Sequence, residues 1–154
     1  MTGLTVRLAG DADLPKLLAL FTESVHQLAS RSYSAQQLHG WAPVEPDVGA
    51  WTKRVSGLTT YVAERSGSLA GFLSLRPPGH IEMLFTSPVH SRTGVASALY
   101  RHALRSSIGT HRPVTADASH EARPFFEKMG WTVIEAELVE RAGVHLERFR
   151  MQLS

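Results

Sequence analysis

A chain of 154 residues has room for one domain with a substantial core, and the reading here is a single domain over residues 1–154. Hydrophobic residues at 43% and charged residues at 19% exclude a disordered chain, and a formal net charge of +2 with scattered Lys and Arg excludes the basic stripe of a nucleic-acid binder. The chain has no cysteine, so disulfides, thiolate metal sites and a cysteine nucleophile are excluded. The longest unbroken apolar run, Leu17 to Phe21, falls far short of the ~20 residues of a membrane span. Met1 to Gly10 lacks a basic stretch followed by an apolar one, so the expected compartment is the cytoplasm.

Leu4 to Leu8 alternates apolar with polar residues and predicts a strand. Asp11 or Asp13 then offers an N-terminal cap, and Leu14, Leu17, Leu18, Phe21, Val25 and Leu28 recur at the spacing of one apolar helical face. His26 sits at the edge of that face, where a core-edge histidine is the plainer reading than a catalytic one. Between Arg31 and Gly57 the pattern is less regular. Ser34 and Asp47 can each cap a short helix, and Tyr33, Trp41 and Trp51 either carry recognition as a lid or fix irregular chain to the core.

Tyr61 to Glu64, a turn at Ser66 and Gly67, and Leu69 to Leu75 predict a hairpin, and Ile81 to Thr86 adds a third strand to an antiparallel meander. Ser87 and Pro88 end that strand. After a tight loop, Ala96, Leu99, Tyr100, Ala103, Leu104 and Ile108 mark a helix. A strand followed by a loop and a helix start is an anion-site geometry. The first N–H groups of a helix have no intrahelical partner, Gly94 has no Cβ to hold a ligand away, and Arg92 adds charge. Pro113 to Ala116 reads as a further strand, Ala122 to Met129 as a helix stopped by Gly130, and Trp131 to Leu153 as a closing hairpin turned at Arg141 to Gly143. The order predicts an α/β (α+β) layer, with a mixed, mostly antiparallel central sheet and helices on both faces.

Two motifs then carry a resemblance. Ser91, Arg92, Thr93, Gly94, Val95 and Ala96 occupy a pattern of Gln or Arg, two residues, Gly, one residue, Gly or Ala. Ala122, Phe125, Phe126, Glu127, Lys128, Met129, Gly130 and Trp131 match Ala-x-x-Phe-Tyr-x-Lys-x-Gly-Phe. In this order and spacing, the whole chain resembles the GNAT superfamily of acyl-CoA-dependent N-acyltransferases. The resemblance implies acetyl-CoA as co-substrate, its pyrophosphate on the N–H groups of Arg92, Thr93, Gly94, Val95, Ala96 and Ser97, and its pantetheine arm along the strand ending at Thr86. It implies that N–H groups of Phe85 or Thr86 polarise the thioester, and that a primary amine of a small molecule or peptide attacks directly.

An alkylammonium of pKa near 10.4 needs a base before it can attack, and Glu82 on the central strand is the candidate. His80 is expected on the same strand face, to tune or replace it. The alternative is a Glu82 carboxylate that faces solvent or pairs with Arg76. Acidic lining such as Glu82 would suit a cationic amine. His80 and Glu82 alone make a poor metal site, and no metal is expected.

Phe126 stands where the family commonly has a proton-donating tyrosine, and Tyr33, Tyr100 and His120 are substitutes, with Tyr100 fitting the core better. Ser119 replaces a cofactor-contacting asparagine and either keeps one hydrogen bond or caps the turn. A non-catalytic acyl-CoA-binding module is the second reading, and a nucleic-acid or protein-binding domain without CoA, disfavoured by the modest charge, a third. Sheet edges near the C-terminal hairpin could support a homodimer.

Overall fold

The order of apolar stripes along the chain becomes a seven-stranded sheet in the computed structural model, which describes residues 3–108 and 113–154. The elements are β1 (Leu4–Leu8), α1 (Leu14–Leu28), α2 (Ala35–Trp41), α3 (Val48–Ser56), β2 (Thr59–Arg65), β3 (Ser68–Arg76), β4 (His80–Thr86), α4 (Val95–Ala103), β5 (Val114–Ala118), α5 (Arg123–Lys128), β6 (Thr132–Arg141) and β7 (Val144–Leu153). The strand order is β1-β2-β3-β4-β5-β7-β6, and β4 with β5 is the single parallel neighbour pair among the described residues. Helices cover both faces. Leu73, Leu75, Ile81 and Ala116 pack with α4 and α5 on one side, while Val62, Phe72 and Met83 pack with α1, α2 and α3 on the other.

Local chemistry explains most boundaries. Ser34 caps α2 by accepting from Gln37 N–H at 3.1 Å, and the Gln37 side chain accepts from Ser34 N–H at 2.8 Å. Asp47 caps α3 through Ala50 N–H at 3.0 Å. The predicted cap of α1 is corrected. Asp13 precedes α1 but does not cap it, because its carboxylate binds Arg7 at 2.8 and 3.0 Å and takes the Gly10 N–H at 2.8 Å. The Arg7 guanidinium holds the Asp13 carboxyl well below its ordinary value, at about 2. The long helix expected to continue to Ile108 ends as regular α-helix at Ala103 and passes into a π-helical turn, Leu104–Ile108. The Ile108 side chain lies outside the described residues. The strand expected at Pro113 to Ala116 runs instead from Val114 to Ala118, since Ala116 and Ala118 both enter the core.

His26 has the structural role read for it, donating from Nε2 to the Ala42 carbonyl at 2.6 Å. Tyr100 and Trp51 are core residues. Tyr100 Oη accepts from Trp131 Nε1 at 2.9 Å, and Trp51 Nε1 donates to the Leu14 carbonyl at 3.1 Å.

Gly71, in the middle of β3, has a role the pattern did not reveal. A Cβ there would lie 2.7 Å from Val95 Cγ1 and 2.8 Å from the Phe85 carbonyl oxygen. α4 therefore rests directly on the β3 backbone, and that contact fixes the helix start relative to β4. Gly71→Ala is expected to lower stability by about 1–3 kcal/mol through overpacking, read from urea unfolding. An unchanged midpoint would show that the contact is slack.

Candidate active site

The parting of β4 from β5 opens the site. Their parallel register holds only at His80 with Thr115 and Ile81 with Ala116. Beyond it, β4 continues through Thr86 paired only with β3. A bulge coincides with the split, since Ser74 pairs with Met83 and Leu75 with Ile81, leaving Glu82 as the extra residue of β4. The bulge breaks simple alternation, so Ile81 joins the core beneath α4 while Met83 joins the core beneath α1.

Past the bulge, Ser87 N–H donates to the Ala70 carbonyl at 2.8 Å, and the Phe85 carbonyl faces Gly71. The antiparallel rhythm therefore turns Phe85 N–H toward β3 and the N–H groups of Leu84 and Thr86 into the gap. Of the two donors expected from sequence, Thr86 is the one aimed outward, Leu84 joins it, and Phe85 contributes its ring.

Two cavities meet in this gap. One is walled by Val25 and Leu28 of α1 with Ala29 just after it, by Leu84, Phe85 and Thr86, and by Ala96, Ser119 and Phe125. The other reaches across β4 and is lined by Tyr33, Glu82, Asp117, Phe126, Arg141 and Glu147 among others. Trp41, Leu84, Phe85, Ser119 and Ala122 belong to both walls. Trp41, from the segment read as a lid, stacks edgewise on Tyr33 and Phe21 at 5.3 and 6.4 Å between ring centroids.

The first cavity runs to the start of α4. Gly94 is the N-terminal flanking residue, with φ +89°, and no atom lies within 4 Å of where its Cβ would stand. Ala98 N–H makes a helical bond to the Gly94 carbonyl at 3.0 Å, so the N–H groups of Val95, Ala96 and Ser97 precede the first complete turn. Arg92, also at positive φ (60°), is exposed beside them. Thr93 is tied down. Its hydroxyl donates to the His90 carbonyl at 2.5 Å and accepts from Arg65 Nη1 at 2.8 Å, while Arg65 Nη2 reaches the Thr93 carbonyl at 3.2 Å. An exposed glycine, free N–H groups and nearby cations fit a phosphate group. Ser119 Oγ accepts from Ala122 N–H at 3.1 Å, the turn-capping alternative, and also faces both cavities.

In the second cavity, Glu82 has the alternative partner named from sequence. Its carboxylate meets Arg76 Nη1 at 2.6 Å and Arg54 Nε at 3.5 Å. His80 lies on the Glu82 side of the sheet but is committed elsewhere. Its Nε2 donates to Asp117 Oδ2 at 3.0 Å, its Nδ1 is 2.8 Å from Thr115 Oγ1, and the residue is buried. Sequence reading missed Asp117. Burial raises its pKa, but the hydrogen bond from His80 and the charges of His80, Arg148 and Arg150 outweigh that, and the net direction is downward. Its Oδ1 is buried with no hydrogen-bond partner among the described residues. The available signal was a lone acid between Ala116 and Ala118, just past the strand predicted at Pro113 to Ala116.

Tyr33 Oη donates to the Glu147 carbonyl at 2.7 Å and accepts from His120 N–H at 3.1 Å. Burial pushes its pKa up, so the phenol keeps its proton. His120 Nε2 donates to Glu147 Oε1 at 2.8 Å. Phe126 is buried and offers no proton. Among the described residues no three His, Asp or Glu side chains converge as metal ligands, and no helix is long and apolar enough to cross a membrane.

Thr93→Val removes the hydroxyl shared by His90 and Arg65. It is expected to speed exchange of the Ala98 amide, whose N–H is bonded to the Gly94 carbonyl, by roughly tenfold, the equivalent of ~1.4 kcal/mol, with the exchange of buried β3 amides unchanged. Equal exchange in the two proteins would show that Arg65 does not brace the loop.

Comparison with known proteins gives the family and the fold. Residues 29–153 match the family model for the acetyltransferase (GNAT) domain. The chain is 34% identical over 152 residues to YafP of Escherichia coli (strain K12), an uncharacterised N-acetyltransferase, covering 99% of this chain and 97% of that protein. The crystal structure of a GCN5-related N-acetyltransferase from Rhodopseudomonas palustris superposes with a TM-score of 0.93 at 31% identity, covering 100% of this chain and 97% of the other. A more distant structure, yncA from Salmonella typhimurium, a putative acetyltransferase with its cofactor acetyl-CoA, shares the fold at a TM-score of 0.68 and 20% identity, over 99% of this chain and 94% of that one. By motif, fold and relatives alike, the chain belongs to the GNAT superfamily of N-acetyltransferases.

Proposed function

We propose that this enzyme transfers an acetyl group from acetyl-CoA to a primary amine by direct attack. The observation that carries the reading is the continuous path from the Gly94 loop, along the unpaired edge of β4, into the cavity holding Glu82 and Asp117. The N–H groups of Val95 to Ser97, with Arg92, hold the pyrophosphate. The free edge of β4 pairs with the pantetheine arm as an added strand would, and Thr86 or Leu84 N–H donates to the thioester oxygen as negative charge develops there. The neutral amine forms the C–N bond, the C–S bond breaks, and the sulfur leaves as thiolate. The proton lost by nitrogen passes to a base. Glu82 is that base, acting directly or through water, with its carboxylate oriented by Arg76 and Arg54.

A thiol of pKa about 8.5 is a tolerable leaving group, so Phe126 in place of tyrosine is compatible with turnover. Tyr33 is the hydroxyl in the acceptor cavity that keeps its proton, and we assign it the donor role to the departing thiolate, its oxygen held in place by the His120 backbone N–H. His80 positions Asp117 rather than replacing Glu82. We place the reaction in the cytoplasm, where acyl-CoA thioesters are held.

Calorimetric titration with acetyl-CoA tests the cofactor half. Saturable binding is expected for the wild type and a loss of at least tenfold for Gly94→Glu, which strains a left-handed position and sets a carboxylate against the pyrophosphate. Equal affinity in both proteins would remove the loop from the site. For the chemistry, Glu82→Gln should retain acetyl-CoA affinity while slowing amine-dependent thiol release by ~10²-fold, the usual scale of a lost general base. Unaltered release across pH would reject Glu82 as the base. A wild type that binds acetyl-CoA but releases no thiol with any amine would favour the non-catalytic acyl-CoA-binding module.

A further inference from the structure

The wall of the acceptor cavity carries three arginines and three acids, but Arg76 and Arg150 engage those acids from outside it and leave positive charge over. Arg54 from α3, Arg141 from the end of β6 and Arg148 from β7 all line it. Its three acids are already engaged: Glu82 with Arg76 and Arg54, Asp117 with His80, Arg148 and Arg150, and Glu147 with His120. Arg148 is also held by Glu137, Nε to Oε1 at 3.1 Å. Arg141 is left over. Among the described residues its one side-chain hydrogen bond is from Nη1 to its neighbour's carbonyl, Glu140 O, at 2.9 Å, and no carboxylate lies within 4 Å of it. The acidic lining expected from Glu82 is thus neutralised, and the surplus is cationic.

Arg141 is also presented on a rigid mount. It pairs with Val144 across a two-residue turn, where Ala142 and Gly143 both have positive φ (50° and 79°), the geometry of a tight hairpin. α2 presses on that turn. A Cβ on Gly40 would lie 2.7 Å from the Arg141 carbonyl oxygen, and Gln37 Nε2 donates to the His145 carbonyl at 3.0 Å. A turn clamped in this way presents a defined guanidinium rather than a loose surface arginine.

We propose that the acceptor is an anionic amine, whose carboxylate or phosphate group is bound by Arg141 with Arg54 and Arg148 while its amino group points toward Glu82 and the β4 edge. Guanidinium groups pair with both kinds of oxyanion through two parallel N–H bonds. Burial, followed by the proximity of Arg148 and Arg54, lowers the pKa of Arg141 and outweighs the attraction of Asp117, and an oxyanion placed among the three arginines relieves that repulsion. The substrate class rests on the acetyl-transfer reading, since it fills the acceptor side of the same site.

The test separates the two. Free amino acids are titrated into the CoA-loaded protein against their α-carboxamides, and phosphoethanolamine against ethanolamine, with binding followed by calorimetry. At least one anionic amine should bind tenfold or more tightly than its neutral counterpart. Arg141→Gln should abolish that preference and Arg141→Lys should keep part of it, while both retain wild-type CoA affinity. The carboxylate pair and the phosphate pair report separately which oxyanion is preferred. Neutral amines bound equally well, a preference that survives Arg141→Gln, or no binding by any anionic amine would each overturn the inference. A preserved preference in wild type without thiol release from acetyl-CoA supports the anionic ligand and counts instead against acetyl transfer.

Discussion

Everything at this site depends on two adjacent parallel strands that stop pairing after two residues. A sheet normally satisfies its backbone with its neighbours, and an interior strand with a free edge is unstable unless something else occupies that edge. Here the split is prepared by the bulge at Glu82, which re-aims β4 as it leaves β5, and it is held open from both faces. α1 supplies apolar wall on one side, α5 on the other, and α4 is locked close to β3 by the missing Cβ of Gly71. Strand, gap and helix start therefore form one rigid unit, and the N–H groups at both of its ends lie along one path.

The ionic groups divide between structure and chemistry in a way that simple counting would miss. Arg7 with Asp13, and Arg65 with Thr93, brace turns. The arginines around the acceptor cavity instead come from two distant stretches of chain, α3 and the β6–β7 hairpin, and converge only in the folded state. Glu82 is locked into place by two of the protein's own cations, so a substrate cannot rely on it for a simple counter-ion. Exposed ion pairs of this kind contribute little stability individually, and their value here is orientation.

Much of this was legible in the sequence. The element order, the loop at Gly94, the caps at Ser34 and Asp47, the core position of Tyr100 and the Arg76 alternative for Glu82 all follow from local pattern and appear in the structure. The illegible parts are tertiary. The bulge leaves no trace because Ile81, Met83, Leu84 and Phe85 are all apolar, so losing one register step changes no visible alternation. Gly71 reads as a weak point in a strand until the helix above it is known. Asp13 looks like a cap until Arg7 claims it, and Asp117 and Arg141 gain meaning only from groups remote in sequence.

The indole of Trp41 has one further consequence. It forms part of the wall of both cavities and contacts Phe85 between them, at 6.0 Å between ring centroids. A side chain shared in this way gives the two compartments a common wall, so a smaller residue in place of Trp41 would widen both at once.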